Sequence, residues 1–292
     1  MNIKCVANIN SLLGECPIWS SRDRCLYWLD MYRPAIYRYR PEDNTNEQLP
    51  LKGPDYVSSF IPRKNGGFVL GTSAGLVTYD ESSGHTSPFV DPRDNKDDTV
   101  FNDAKADHMG RLWVGTYHES EELPNAALYR VEPAGDFTAV IEGFICSNGP
   151  AFSPDGKVLY IADSIRYTIY AYDVEPKSGS LGDKRVFARL TKELGFPDGM
   201  TVDSNGGLWN AHYGSGMVTR YDPNGSVDFT LSIPAPYVTS CMFGGPNLST
   251  LFVTTASSDA NGTKLTPHAD LAGALFAIDT HFSGLPEPEF SG

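Results

Sequence analysis

The chain lacks a long apolar segment. No stretch approaches the roughly 20 consecutive apolar residues that a transmembrane helix needs, so no membrane partner is expected. The first ten residues, MNIKCVANIN, also lack the apolar run of an export signal. We therefore predict a cytoplasmic protein.

Cysteine is scarce and shows no paired spacing. The chain has five cysteines, an odd number, and no two of them form a CxxC pair. A disulfide framework is therefore not predicted, and reduced thiols agree with a cytoplasmic location.

Basic residues are few as well. Lys and Arg total 23 against 36 Asp and Glu, which gives a net charge of −13. A nucleic-acid partner requires a basic patch or stripe, and none is present. The acidic surplus could attract cations, although a well-solvated surface is the simpler interpretation.

What the chain does have is one strand–turn–strand pattern repeated six times, with anchors between 41 and 50 residues apart. Each copy has a short apolar strand, a turn rich in Gly, Asp, Asn or Pro, and a second apolar strand. A third strand with alternating aromatic residues follows, and in most copies a weaker fourth. The apolar residue at the middle of each first strand is Trp19, Ile61, Ala106, Phe152, Val202 or Phe243.

A repeat of this length with about four strands predicts an all-β fold, a six-bladed β-propeller with four-stranded blades and a central metal-binding channel. We predict a single domain over residues 1–292. Residues 2–10 precede the first copy and are expected to add the outer strand to the last blade, which removes an exposed edge. A β/α barrel is disfavoured because helical patterns are missing, and a β-sandwich does not explain the recurrence.

Four copies carry a carboxylate or amide side chain four residues before the anchor. The residues at that position are Glu15, Val57, Asn102, Asn148, Asp198 and Thr239. In a propeller these positions face one another where the innermost strands begin. Two carboxylates and two amides there predict a site for a hard divalent ion such as Ca²⁺, Mg²⁺ or Mn²⁺. A structural zinc site is disfavoured because no Cys or His occupies the position.

Two alternatives accompany this prediction. Asn148-Gly149 and Asp198-Gly199 are also typical turn dipeptides, although the hairpin turns of those copies lie further along the chain. Polar residues at the ends of the second strands, Asp30, Asp163 and His212, either orient the ligands or cap their strands, and His212 could also move a proton.

Residues 117–126, YHESEELPNA, interrupt the third copy between its second and third strands. The segment is polar and is expected at the metal-bearing end of the blade. A substrate loop or lid and a plain surface loop are both open.

The repeats resemble the regucalcin (senescence marker protein)/gluconolactonase/luciferin-regenerating enzyme family over almost the whole chain. The motifs that carry the resemblance include GECPIW (14–19), FNDAKADHMGRLWVGT (101–116), SNGPAFSPDGKVLYIADS (147–164) and FPDGMTVDSNGGLWNA (196–211). The resemblance implies a six-bladed propeller with one divalent metal ion. It also implies that Glu15, Asn148 and Asp198 are the metal ligands, and that Asn102 lies close to the metal or its substrate water.

Two positions depart from the family pattern. Many sugar lactonases carry Arg two residues before the equivalent of Asn102, where this chain has Val100. Some carry Glu at the position of Ser120, which here has Glu119 and Glu121 as neighbours. Lactonase chemistry is therefore predicted more firmly than specificity for a sugar lactone, and Asn102, Glu119 and Ser120 are the predicted substrate contacts.

The predicted function is a metal-dependent lactone hydrolase, with Asp198 as the general base and Ca²⁺, Mg²⁺, Mn²⁺ or Zn²⁺ as the single metal ion. A small-molecule lactone is the predicted partner, and the chain is expected to be a monomer or a weak homodimer. The alternatives are a non-catalytic Ca²⁺-binding or ligand-sensing propeller, and a hydrolase of another ester or a phosphotriester.

Overall fold

The structure, a computed structural model, describes residues 1–93, 98–258, 263–264 and 270–292. Strands dominate this part of the chain. Its only helical elements are two 3₁₀ turns, Ser164–Arg166 and Lys192–Leu194.

Five of the six sheets consist of four consecutive strands in chain order, each antiparallel to the next. We number the strands β1 to β24 along the chain. The first sheet contains β2 Gly14–Ser20, β3 Cys25–Asp30, β4 Ala35–Arg40 and β5 Thr45–Leu49, and the second contains β6 Val57–Pro62, β7 Phe68–Thr72, β8 Gly75–Tyr79 and β9 Thr86–Val90. The third contains β10 Thr99–Ala106, β11 Leu112–His118, β12 Ala126–Val131 and β13 Phe137–Phe144. The fourth contains β14 Ser147–Phe152, β15 Val158–Asp163, β16 Thr168–Glu175 and β17 Ser180–Arg189. The fifth contains β18 Phe196–Val202, β19 Leu208–Tyr213, β20 Met217–Tyr221 and β21 Val227–Ser232.

The sixth sheet confirms the prediction for the N-terminal segment. It orders β22 Val238–Gly244, β23 Thr250–Thr255, β24 Leu275–Asp279 and β1 Ile3–Ala7 side by side. The first strand pairs antiparallel with β24, for example Ile3 with Ile278. The fold is therefore an all-β, six-bladed β-propeller, as the repeats predict, and its last blade is completed by the first strand of the chain.

The blades fall into two compact units of three blades each. Unit 1 consists of residues 1–49 and 190–287, and unit 2 of residues 50–189 and 288–292. Each unit has its own buried core: Trp209 contacts Phe243 in unit 1, and Trp113 contacts Phe152 in unit 2. The single domain over residues 1–292 stays a prediction.

A buried carboxylate fixes the hairpin of the third blade along the chain, which belongs to unit 2. Asp107 Oδ1 accepts hydrogen bonds from the backbone N–H groups of Met109 and Arg111. Its Oδ2 accepts from Arg111 Nε at 2.6 Å and from Trp113 Nε1 at 2.8 Å. The carboxylate therefore ties the turn to the second strand.

The fifth blade, in unit 1, repeats this arrangement with one difference. Asp203 Oδ1 accepts from the N–H groups of Asn205 and Gly207, and Oδ2 accepts from Trp209 Nε1 at 2.8 Å. The guanidinium comes from the third strand instead, with Arg220 Nε 2.7 Å from Oδ2. Because Asp203 is fully buried, this network is a central polar element of the blade.

Candidate metal and substrate site

The four polar positions that the repeats align lie in corresponding strands of four blades. Glu15, Asn102, Asn148 and Asp198 all lie in the first strands of their blades, β2, β10, β14 and β18. All four are buried, with 4 to 8% of their surface exposed. Buried polar groups require partners, so the side-chain oxygens at these four positions must accept hydrogen bonds or bind a ligand.

A β-bulge lies at this position in every one of the four strands. The ladder register shifts between Glu15 and Ile18 and between Asn148 and Ala151, and the same shift occurs at Asn102 and Asp198. The turn interpretation of Asn148-Gly149 and Asp198-Gly199 is therefore wrong, because both dipeptides lie within strands. A bulge adds one residue to a strand and re-aims its side chains, and bulges are common next to functional sites.

In unit 2, the structure brings Asn102 and Asn148 together. Asn102 Nδ2 donates to Asn148 Oδ1 at 2.6 Å and to the carbonyl of Ser147 at 2.9 Å. Asn148 Nδ2 in turn donates to Ser164 Oγ at 2.9 Å. These contacts fix which end of each amide is nitrogen, so Asn102 Oδ1 is the group that this network leaves for another partner.

Asp103 belongs to the same network and was not predicted from the sequence. Its Oδ2 accepts a hydrogen bond from the N–H of Gly149 at 2.8 Å, which holds the bulge that follows Asn148. Burial raises the pKa of Asp103 to about 6, opposed by the Gly149 N–H and the charge of Lys105. The adjacent Asn102 was the available signal, but the contact with Gly149 joins two blades and is not encoded in local spacing.

In unit 1, Glu15 is held by its own strand and Asp198 by the neighbouring strand β19. Glu15 Oε2 accepts a hydrogen bond from the N–H of Cys16 at 2.9 Å, where Cys16 has a positive φ of 50°. The backbone carbonyl of Asp198 accepts from Asn210 Nδ2 at 2.9 Å. These contacts fix the backbone at each position and place a buried carboxylate at the equivalent point of two blades.

The residue after Asp198 must be glycine for a packing reason. A Cβ atom at Gly199 would lie 2.1 Å from Ser240 Oγ and 2.8 Å from Ser240 Cα. The bulge of β18 therefore packs directly against β22 of the next blade. This close approach within unit 1 restricts the orientation of the strand that carries Asp198.

The capping interpretation fits Asp30 and Asp163. Asp30 accepts hydrogen bonds from the N–H groups of Leu12 and Leu13 and pairs with Arg33 at 3.1 Å. Asp163 accepts a hydrogen bond from the N–H of Cys146 and pairs with Arg166 at 2.6 Å. Both carboxylates therefore hold the segment that enters the innermost strand.

His212 is a buried neutral histidine. Burial lowers its pKa to about 4, opposed by a hydrogen bond between Nδ1 and the carbonyl of Leu194 at 3.0 Å. Because a carbonyl only accepts, Nδ1 carries the proton. Its Nε2 and the Oδ1 of Asn210 are buried acceptors without a hydrogen-bonding partner within the described residues.

The predicted substrate loop is anchored at both ends. Glu119 and Ser120 are exposed and follow β11, and the N–H of Glu119 donates to the carbonyl of Asp98 at 3.0 Å. Asn125 Nδ2 donates to Asp98 Oδ2 at 3.0 Å at the far end of the loop. Val100 pairs with Tyr117 in the ladder and is half-buried.

A metal site built only from His, Cys, Asp and Glu is not found. No group of three or more such side chains could hold an ion among residues 1–93, 98–258, 263–264 and 270–292. The predicted site relies on amide oxygens as well, so convergence of Glu15, Asn148 and Asp198 on one ion stays a prediction. Among the residues that the structure describes, no helix is long and apolar enough to span a membrane.

The fold and these buried oxygen donors define a class of protein: a six-bladed propeller with polar side chains at the bulges of its innermost strands. Residues 13–257 match the family model described as SMP-30/Gluconolactonase/LRE-like region. The chain belongs to this family.

Relatives in this family extend over nearly the full chain. A 6-deoxy-6-sulfogluconolactonase of Pseudomonas putida is 31% identical over 99% of each chain. A pentonolactonase of Haloferax volcanii is 31% identical over 98% of this chain and 97% of its own. The crystal structure of a calcium-binding protein, regucalcin, from Agrobacterium tumefaciens superimposes with a TM-score of 0.91 at 23% identity, covering 99% of this chain and 97% of that one.

Proposed function

We propose that this protein is a metal-dependent lactone hydrolase acting on a sugar lactone or a similar small cyclic ester. Two relatives named as lactonases are similar over nearly the whole chain. The observation that carries the proposal is the set of buried oxygen donors at equivalent bulges, Glu15, Asn148 and Asp198, with Asn102 bonded to Asn148.

The residues fit a hard divalent ion. Glu15 and Asp198 supply two buried carboxylates, which can balance a double positive charge. Asn148 supplies an amide oxygen, Oδ1, whose position is fixed because it accepts a hydrogen bond from Asn102 Nδ2. We propose these three residues as ligands of one Ca²⁺, Mg²⁺, Mn²⁺ or Zn²⁺ ion, with oxygen donors favouring the first three.

When bound, such an ion polarises a carbonyl oxygen and stabilises the charge of an oxyanion. Asp198 takes a proton from the attacking water, whose oxygen bonds to the lactone carbonyl carbon. The ring C–O bond then breaks, and the proton passes to the leaving alkoxide, which gives a hydroxy acid. Asn102 Oδ1, which its own network does not use, accepts a hydrogen bond from the substrate or from this water.

Chelation and replacement of the metal test the proposal. After treatment with EDTA, each divalent ion is added back singly, and acid release is followed from a panel of lactones, an aryl ester and a phosphotriester. We expect lactone hydrolysis to stop and to return with one or more ions. Ion binding without turnover would indicate a binding protein instead, and preferred turnover of the other esters would indicate a different hydrolase.

Substitution of Asp198 separates its two roles. Asp198→Ala should abolish both ion binding and turnover. Asp198→Asn keeps one oxygen for the ion but removes the base, so we expect turnover to fall by about 10²–10⁴-fold with weaker loss of binding. Asp173→Asn, at an exposed carboxylate paired with Arg185, is the matched control and should keep full activity.

Wild-type rates in Asp198→Ala would contradict the assignment. The small-molecule partner, the cytoplasmic location and the monomeric or weakly dimeric state remain predictions of the same proposal.

A further inference from the structure

Two buried acceptors lie two residues apart on the second strand of the fifth blade, in unit 1. Asn210 and His212 belong to β19, and neither has more than 1% of its surface exposed. Asn210 Oδ1 and His212 Nε2 are shielded from solvent and have no hydrogen-bonding partner in the part of the chain that the structure describes. A buried acceptor without a donor is destabilising, so two of them on one strand indicate a bound ligand.

Neighbouring hydrogen bonds fix which atom each side chain leaves open. Asn210 Nδ2 donates to the backbone carbonyl of Asp198 at 2.9 Å, and His212 Nδ1 donates to the carbonyl of Leu194 at 3.0 Å. A carbonyl can only accept, so the amide nitrogen and the protonated ring nitrogen are both in use. Asn210 Oδ1 and His212 Nε2 therefore offer lone pairs, and their ligand must donate two hydrogen bonds.

Both side chains lie on one face of the sheet. Side chains at positions i and i+2 of a strand point to the same face, and two residues of a strand span about 6.5–7 Å. The residues with which they alternate, Trp209 and Ala211, belong to the apolar core of unit 1 instead. At this spacing, one small molecule between Asn210 and His212 can reach both acceptors.

Water has the chemistry that these two acceptors require. It donates two hydrogen bonds without bringing a charge, and buried waters in proteins bridge polar groups that lack other partners. An ammonium ion would place an uncompensated charge in a buried site. A metal ion requires four or more ligands, which is more than these two side chains supply.

A water at this position completes a continuous line of hydrogen bonds that ends at Asp198. His212 donates to the carbonyl of Leu194 and accepts from the water, while Asn210 accepts from the water and donates to the carbonyl of Asp198. Asp198 lies in the bulge of β18, where the strand ladder is interrupted. The bond from Asn210 therefore holds the backbone at a point that the ladder leaves less constrained.

We infer that one buried water is bound between Asn210 Oδ1 and His212 Nε2, and that Asn210 is a positioning residue for Asp198. His212 in turn holds the water that orients the Asn210 amide. The effect on ion binding and turnover rests on the proposed function, in which Asp198 is a ligand and the base. The water site itself does not depend on that function.

Neutron diffraction from crystals of the unmodified protein in D₂O tests the water site directly. We expect one water whose oxygen lies about 2.7–3.2 Å from both acceptors, with one deuteron directed at each. A site without water would overturn the inference. So would an ion about 2.0–2.1 Å from His212 Nε2, which is a metal–nitrogen distance.

Two substitutions of His212 separate the bonding of the side chain from its bulk. His212→Gln keeps one donor for the carbonyl of Leu194 and one acceptor for the water, so the water, ion affinity and turnover should be retained. His212→Phe keeps a ring of similar size without either nitrogen. We expect it to lose the water and to lower ion affinity, measured by calorimetry, or kcat by about 10–100-fold with little change in KM.

Asn210→Leu tests the other end of the line. It removes both polar atoms at similar volume, so we expect a shifted Asp198 backbone in its crystal structure and a loss of ion affinity or kcat of about the same size. Val218→Ala is the matched control: Val218 is buried in the apolar core of the same unit, and its truncation leaves a cavity without touching the pair. It should lower stability while ion affinity and kcat stay unchanged.

Unchanged ion affinity, turnover and Asp198 backbone in Asn210→Leu would overturn the positioning role. That outcome leaves the proposed function intact. Failure of the unmodified, metal-loaded protein to hydrolyse any lactone would refute the proposed function instead. The water site and the backbone of Asp198 are then still decided by diffraction, which needs no turnover.

Discussion

Replacement of Asp203 by Asn should destabilise the protein more than any change to its exposed ion pairs. Asp203 is fully buried, and its Oδ2 accepts from both Arg220 Nε and Trp209 Nε1. Asn retains one oxygen, which can still accept from the N–H groups of Asn205 and Gly207. Its Nδ2 would then face two other donors, so both remaining hydrogen bonds are lost.

The magnitude follows from those two bonds. Both bonds go to the charged carboxylate, and a hydrogen bond to a charged group contributes about 1.5–3 kcal/mol, so the two together give roughly 3–6 kcal/mol. Breaking a buried ion pair costs about 3–5 kcal/mol. The lower end applies because Arg220 keeps a second partner, Asp228, at 2.6 Å. We therefore expect a loss of about 3 kcal/mol, or roughly 5 °C in Tm for a chain of 292 residues.

Asp228→Asn is the matched control, because it removes the other carboxylate of the same guanidinium. Asp228 has 43% of its side chain exposed, so its loss should cost less than about 1 kcal/mol. The assay is urea denaturation followed by circular dichroism and tryptophan fluorescence, at one fixed metal concentration. If Asp203→Asn destabilised no more than Asp228→Asn, the buried network would not hold the blade as described.

Three further predictions concern pH, thiols and the repeated network. Between pH 6.5 and 4 the unfolded chain binds a proton that buried His212 does not, so the free energy of unfolding should fall by roughly 3 kcal/mol as pH drops across that window. His212→Gln should lack this pH-dependent loss. If the variant showed the same dependence of unfolding free energy on pH as the unmodified protein, the assignment would be contradicted. Cys5 is the exposed cysteine and the other four are buried, so Ellman's reagent should titrate one thiol quickly in the native state and five after unfolding; several fast thiols would contradict the burial. Asp107→Asn in the third blade should cost about as much as Asp203→Asn, since Asp107 accepts the same set of bonds; a loss below about 1 kcal/mol would show that the two networks are not equivalent.

The fold could be predicted because its signal is periodic. Six recurrences of one hairpin, with anchors such as Trp19 and Phe243, specify six blades without any knowledge of their contacts. The pairing of β1 with β24 was also predictable, since residues 2–10 had no copy of their own and the last blade lacked an outer strand.

The details of the candidate site were less predictable, because they depend on contacts between distant residues. The bulges at Asn148 and Asp198 resemble turns in sequence, since the same Asn-Gly and Asp-Gly dipeptides serve both structures. The hydrogen bond from the Gly149 N–H to Asp103 spans 46 residues, and no local pattern reports it. The contact between His118 Nε2 and Asp98 Oδ2 was not predicted, because Asp98 lies 20 residues earlier and reaches the ring only through the fold.

The central claim is that Glu15, Asn148 and Asp198 share one divalent ion. A crystal structure of the Ca²⁺-soaked protein tests it most directly. We predict one Ca²⁺ ion with an oxygen of each of the three side chains at about 2.3–2.6 Å. A structure at saturating Ca²⁺ in which these three side chains do not share an ion would contradict the claim.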